Sequence, residues 1–470
     1  MNSTDPTPSP EWLSSPDSAT VLPLLQNEPE LTVMPLSKAI IKLVGPAMAS
    51  MLFIMVFQLV DAWWVGKLGA QPLAGVSAAA FLLWSLESVA TLVSTGVNAM
   101  VARFVGEKNT DKASLVVGQG TLLSILLSLV FSSVGLICQS RIFNAMGIHA
   151  DVAKAATDYM AVILIGLVTI YLSFAIDAAF RGMGDTRTPL KLVAAGLSLN
   201  IVLDPFLIFG LGPFPRMETA GAALATIIAH GFVAVFGIIL LQRREVKIKF
   251  HRGLTNYDLL WRITRIGAPI AFSGMMFSVS YMFLTRVITR FGPEALAALG
   301  LGHRIEGLSY FAAVGFSVAA STLVGQNLGA NKPKRAEKAA WLTILYISIL
   351  LLFVSVLYYF FGGTIIRFFI NDADVIMEGT QYLKIIALFE VFLGFEIVFE
   401  GAFSGAGNSL PPMLVAVPIT WMRIPLAIYL ADVVGMGSSG IWWTIAVTTG
   451  LKGILLALWF LRGKWKLKQI

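Results

Sequence analysis

The sequence predicts an all-α integral membrane protein of twelve transmembrane helices in two pseudo-symmetric six-helix lobes. Three observations predict it. Of the 470 residues, 57% are hydrophobic and only 13% charged, whereas about a quarter of the residues of a soluble globule are charged. The charged residues fall between apolar runs long enough to cross a bilayer. The second half of the chain also repeats the first at an offset of 219 to 223 residues.

The first 35 residues carry Ser, Thr, Pro and five acids without Lys or Arg, a composition expected of a disordered cytoplasmic tail. They lack the basic region of a signal peptide. Twelve spans follow, near 39–66, 72–100, 113–140, 153–175, 188–211, 219–242, 262–290, 295–323, 337–361, 376–402, 411–433 and 438–461. They group into an N-terminal lobe (36–242), a basic linker (243–261), a C-terminal lobe (262–461) and a basic tail (462–470). The tails and even-numbered loops hold 23 of the 34 Lys and Arg residues, and the opposite side holds seven. By the positive-inside rule both termini are cytoplasmic, as an even number of spans requires. A plasma (inner) membrane is the expected location.

Composition also excludes functions. The net charge of +7 is spread over loops and sets orientation; it is no nucleic-acid footprint. The single cysteine, Cys138, allows no disulfide framework, and the four histidines show no metal-ligand spacing. His230, inside an apolar run, is the one candidate for titration among them. There is no phosphate-binding loop, which excludes an ATP-driven pump. No Asp-rich metal motif is present, and Ser404 beside Gly405 has no evident histidine partner, so an enzyme is not expected. No cofactor is expected, and a monomer is.

The most informative stretch is Leu197 to Gly212, L-S-L-N-I-V-L-D-P-F-L-I-F-G-L-G. Asn200 and Asp204, four residues apart, share one helix face. Pro205 cannot donate to the Ile201 carbonyl, which leaves a third oxygen free nearby. A carboxylate, an amide and a carbonyl suit a proton or a hard cation. An acid at mid-membrane costs about 2.5–3.5 kcal/mol on insertion scales, so its presence calls for a function.

The repeat sorts the remaining acids. Phe180-Arg-Gly-Met-Gly-Asp-Thr-Arg-Thr-Pro189 overlies Phe403-Ser-Gly-Ala-Gly-Asn-Ser-Leu-Pro-Pro412. Glu87 overlies Glu306 and Asp177 overlies Glu400; acids present in both halves are read as architectural. Asp61 and Asp204 have no acidic counterpart and are the functional candidates. Counted from the span ends, Asp61, Asp204 and Thr226 lie at one depth, roughly 10 Å below the outer surface. Two carboxylates in one desolvated place repel, and binding of H+ or Na+ relieves the repulsion. Pro46, after Gly45, supplies a hinge in the first span, and Pro205 one in the fifth. Glu390 and Glu396 are also asymmetric, with Arg423 and Lys384 as candidate partners; structural pairing and cavity lining stand equal for them. Met275, Met276, Phe277, Tyr281 and Met282 are read as packing, with an apolar pocket as the alternative.

From Leu36 to Leu461 the chain resembles the multidrug and toxic compound extrusion (MATE) transporters, and within them the DinF-like branch. The resemblance rests on V-D-A-W-W-V-G-K-L-G (Val60 to Gly69), the F-R-G-x-G-D-T-R-T-P loop, N-I-V-L-D-P and V-G-Q-N-L-G-A-N (Val324 to Asn331). It implies antiport of a cation against amphipathic or cationic organic compounds through a cleft between two lobes. It also places the coupling acid of the first helix on Asp61, the Asn/Asp pair of the fifth on Asn200 and Asp204, and the sixth-helix hydroxyl on Thr226. The seventh-span acid of the other large bacterial branch is absent, which favours H+; Na+ at Asp61, Asn200 and Asp204 is the alternative. A flippase of lipid-linked sugars ranks below both, because only Arg304, Lys384, Arg423 and Lys452 are basic within the spans.

The repeat generates a test. If Glu87 and Glu306 are architectural, Glu87→Gln and Glu306→Gln lower the melting temperature or the yield of purified protein while leaving the driving ion unchanged. A normal melting temperature with lost ion coupling reverses the assignment.

Overall fold

Apolar helices of this length bury their backbone polar groups in their own hydrogen bonds, the solution a bilayer imposes. The computed structural model describes residues 29–145, 149–250 and 255–468 and contains no strand among them. The elements are α1 (Leu36–Gly66), α2 (Ala70–Gly106), α3 (Thr110–Ala145), α4a (Ala150–Ile165) with α4b (Leu167–Gly182), α5 (Arg187–Phe209) and α6 (Glu218–Gln242). The second half follows with α7 (Tyr257–Ile288), α8 (Pro293–Gly329), α9 (Pro333–Phe369), α10a (Ala373–Ala387) with α10b (Glu390–Gly405), α11 (Leu410–Ile428) and α12 (Ser438–Leu461).

Helices occupy all twelve expected stretches. Among the described residues ten are single helices long and apolar enough to cross a membrane, the two pieces of the fourth make an eleventh if counted as one span, and the tenth is two shorter helices. α4a and α4b meet at Gly166 with a bend of 56°. A Cβ at Gly166 would overlap the Ile227 side chain of α6, so the bend brings this backbone against α6. The tenth span breaks at Leu388 and Phe389. The apolar run is continuous across the first break, so composition alone concealed it, whereas Glu390 follows the second directly. Pro46 and Pro205 sit inside helices that run on through them.

A second difference lies at the amino end. The expected tail runs to residue 35, and its first 28 residues lie outside the described part. Residues Glu30–Val33, however, form a helical turn with Leu31 and Thr32 buried. Leu31 joins the apolar core that α8, α9 and α10b share, and that burial outweighs the polar composition around it. The linker is likewise docked. Its Lys249 amide donates to the Ser114 carbonyl at 3.3 Å and its Asn256 amide to Gln119 Oε1 at 2.9 Å. Asn256 then caps α7 by accepting from the Leu259 amide at 3.2 Å.

The first helix of each half reaches across the seam. α1 packs chiefly on α8 and α5, and α7 on α2 and α11, while α2 and α8 pack on each other. Both chain ends meet at one end of the bundle, where Lys466 pairs with Glu337 at 2.7 Å and Lys332 donates to the Thr32 carbonyl at 3.3 Å. The hydrogen bonds between helices of the two halves lie towards that tail end. Asn98 donates to Ser321 Oγ at 2.8 Å, Thr322 to the Arg181 carbonyl at 3.0 Å and Gln326 to the Gly182 carbonyl at 2.9 Å. Here α2 and α8 touch backbone to backbone: a Cβ on Gly106 would overlap the Gln326 carbonyl, and one on Gly329 the Arg103 carbonyl. Towards the far end, added Cβ atoms at Gly300 and Gly307 of α8 meet nothing within 4 Å. Phe81, Trp84 and Leu308 are exposed there. The two halves are therefore joined at the tail end and apart at the other.

Gly106→Ala is expected to lower stability by about 1–3 kcal/mol, because the added carbon meets backbone that cannot yield. Gly300→Ala, with open space and a better helix former, should be neutral or slightly stabilising. Melting of the two purified variants in detergent checks the pair; equal melting temperatures would mean that the seam is not closed as described.

Candidate functional site

The fifth span brings its two polar residues to the inside. Asn200 and Asp204 are both 0% exposed on α5, which packs between α1 and α6. All four of their side-chain polar atoms are buried without a hydrogen-bond partner. Asp61 of α1 is half-buried with Oδ1 unpartnered, and its charge acts on Asp204. Asp61, Asn200 and Asp204 thus occupy one region of the N-terminal half. Thr226 of α6 is buried, but its hydroxyl donates to the Ala222 carbonyl of its own helix at 3.1 Å.

Two residues that the sequence did not tie to this region belong to it. Tyr159 of α4a is 5% exposed, and its phenol lies in the field of Asp61, Glu87 and Asp204 together. Glu87, paired with Glu306 by the repeat, therefore faces the same tyrosine as the asymmetric acids. Nothing in the sequence marked Tyr159, because its place depends on how α4a packs against α2 and α6. Among the described residues, no Lys or Arg pairs with Asp61, Glu87 or Asp204. Towards the far end the region is roofed by aromatic rings. Trp64 contacts Phe209 edge to face at 6.0 Å, and Lys67 Nζ stands 3.6 Å above the Trp63 ring.

Buried polar atoms are nearly always hydrogen-bonded, and an uncompensated buried charge is strongly destabilising. A cluster of orphaned oxygens without a cation therefore suits an exchangeable positive charge. Among the described residues, no three of Asp, Glu, His and Cys approach closely enough to hold a metal ion.

The C-terminal half handles its charges differently. Glu396 pairs with Lys452 at 2.5 Å, both nearly buried, so neither Arg423 nor Lys384 is its partner. Lys384 points outward and is exposed. Arg423 is 2% exposed and spends its donors on hydroxyls: Thr448 at 2.8 Å, Tyr281 at 3.0 Å and Thr449 at 2.9 Å. Glu306 accepts from the Tyr382 hydroxyl at 2.7 Å. Of the other acids paired by the repeat, Asp177 in the first half forms an ion pair with Arg181 at 2.6 Å, and Glu400 in the second lies near Glu396 and Lys452. In the second half, among the described residues, only Glu390 keeps both side-chain oxygens buried and unpartnered. His230 is held by Ser173 through Nδ1 at 2.9 Å.

Comparison with known proteins places this architecture. The MatE family model matches residues 46–206 and again 269–429, two stretches displaced by 223 residues, in agreement with the internal repeat. The chain is 28% identical to the probable multidrug resistance protein NorM of Thermotoga maritima over 94% of this chain and 96% of that one. It is 26% identical to an FAD transporter of Shewanella oneidensis, covering 90% and 91% of the two chains. Among solved structures, a multidrug resistance MATE family transporter of the MOP superfamily in an outward-facing conformation superposes with a TM-score of 0.87 at 24% identity, covering 94% of this chain and 99% of that one. A Pyrococcus furiosus MOP superfamily transporter, described as having a binding pocket of reversed polarity, gives the same TM-score, identity and coverage. With the family model matched in both halves and the helical arrangement of solved MATE transporters reproduced over 94% of the chain, the chain belongs to the MatE family of multi-pass membrane transporters.

Proposed function

We propose that this protein is an antiporter that admits protons and exports amphipathic or cationic organic compounds, without covalent chemistry. Asp61, Asn200 and Asp204 form the coupling site, with Tyr159 and Glu87 beside it and Thr226 on the neighbouring helix. The observation that carries the reading is the set of buried, unpartnered oxygens on Asp61 and Asp204 with no pairing cation. The positive-inside pattern sets both termini in the cytoplasm, which makes the joined end of the seam the cytoplasmic one and the open end the outer one. In this state an organic compound leaves and protons enter. Protonation removes the repulsion between Asp61 and Asp204, lets α1 bend at Pro46 and narrows the cleft.

The C-terminal half bears on the substrate. Lys452 is neutralised by Glu396 and Arg423 is surrounded by hydroxyls, so two of the four intramembrane cations are not free for diphosphate groups. That favours organic compounds over lipid-linked sugars. Coupling to Na+ through the same carboxylates is the second reading, supported by the amide and carboxylate oxygens gathered there.

Asp61→Asn and Asp204→Asn should each abolish gradient-driven dye efflux from proteoliposomes while the protein folds normally. Loss of a required charge is expected to cut transport by about a hundredfold, as removal of a proton-transfer group does in catalysis. Wild-type rates in either variant would dismiss the coupling site.

The driving ion is tested separately. An inward proton gradient should drive efflux in Na+-free buffer, and adding substrate to purified protein in detergent should release protons. Efflux that needs Na+ at fixed pH, with no proton release, would transfer the same residues to Na+ coupling.

A further inference from the structure

At the tail end, a cavity of about 500 Å³ opens between the start of α1 and the start of α9. Its walls are Leu36 and Ser37 of α1 with Lys334, Arg335, Lys338 and Leu342 of α9. Three of the six are cations and none is an acid. The acids nearest in sequence are occupied elsewhere, Glu337 by Lys466 at 2.7 Å and Glu30 by Lys42 at 2.6 Å. Lys334 and Lys338 make no ion pair among the described residues, and Arg335 Nε is buried without a partner. A cavity lined by three cations and no acid fits an anion.

The rest of the cavity says which kind of anion. Leu36 and Leu342 make it apolar on the side that continues along the spans, and Ser37 adds a hydroxyl at the rim. Both flanking helices enter the membrane from here, so the cavity lies where headgroups meet acyl chains. From these observations we infer that the cavity binds the headgroup of an anionic phospholipid. The phosphate sits among Lys334, Arg335 and Lys338, and an acyl chain runs over Leu36 and Leu342. Basic pockets between spans at this level hold such headgroups in general.

The position gives the lipid a structural consequence. Arg335 also donates to the carbonyls of Leu31 (3.4 Å) and Met34, and Lys332 donates to that of Thr32 (3.3 Å). The side chain of Leu31 in turn fills the space beside Gly184 in the loop before α5. The turn at Glu30–Val33 is therefore a strap across the seam, with its carbonyls held by the second half and its side chain lodged in the first. A lipid on Arg335 fixes the residue that grips the strap, and so favours the state in which the tail end is shut.

The test uses purified, delipidated full-length protein in detergent, titrated with phosphatidylglycerol or with phosphatidylcholine of the same acyl chains. Bound lipid is counted by native mass spectrometry. Wild type should retain phosphatidylglycerol in preference. Lys334→Gln with Lys338→Gln should weaken that binding by about tenfold or more, as the loss of two interfacial cations implies. Both side chains are exposed, and the lipid-free melting temperature verifies that the variant folds. Arg187→Gln with Lys191→Gln removes two exposed cations elsewhere at the same end and should leave binding unchanged. Inorganic phosphate should not displace the lipid. Equal retention of both lipids, an equal loss in the control pair, or displacement by inorganic phosphate would each overturn the lipid site, the last in favour of a free anion.

Discussion

The molecule depends on one crossing, that of α2 with α8 at the tail end. Helices normally pack 8–10 Å apart, and in a bilayer no hydrophobic drive pulls them closer. Gly106 and Gly329 remove the side chains that would hold the backbones apart, each lying against the carbonyl of the other helix. The same arrangement recurs where α2 meets α7, with Gly96 against the Ile263 carbonyl and Gly267 against that of Leu92. Dispersion then accumulates over backbone atoms, and Asn98, Thr322 and Gln326 find partners across the seam. Since the contact is made at one end only, the helices splay towards the other, and the cleft results from where the glycines are.

On this frame the two halves, alike in fold, differ in charge. The second half pairs its Lys452 with Glu396 and surrounds Arg423 with three hydroxyls, so most of its charges are satisfied in place. The first half gathers Asp61, Glu87 and Asp204 around Tyr159 with no cation among them. A satisfied network rigidifies, whereas an unsatisfied one in low dielectric is held at a cost. The two halves are thus symmetric in fold and asymmetric in charge: the second holds a largely satisfied network and the first an unsatisfied one.

Much of this was legible in the sequence, for identifiable reasons. Span number followed from apolar length, and the pairing of halves from the F-R-G-x-G loop and its copy. That Asn200 and Asp204 share one face followed from their four-residue spacing. What stayed hidden depended on packing. Glu396 has Lys452 as its partner because α10b lies against α12, a neighbour that no spacing along the chain announces. Tyr159 joined the acids for the same reason. The turn at Glu30–Val33 read as tail because one buried leucine among polar residues leaves no period. The break in α4 was invisible because Gly166 does not interrupt the apolar run, and the one in α10 because a single acid, Glu390, in an apolar stretch does not by itself end a helix.

Those two breaks bear differently on charge. At Gly166 the chain bends by 56° between helices without an acid at the joint, and the close approach to α6 accounts for it. At Leu388 and Phe389 the new helix begins with Glu390, 1% exposed and with both oxygens unpartnered. The first turn of a helix presents unbonded amides and a positive dipole end, which favour a negative group by about 0.3–1 kcal/mol, rising to ~2 kcal/mol where partly buried. An unbroken tenth helix would place Glu390 mid-helix, where every nearby amide is already used. The break thus supplies part of the field that a buried carboxylate needs, at a position where, among the described residues, no lysine or arginine forms an ion pair with it.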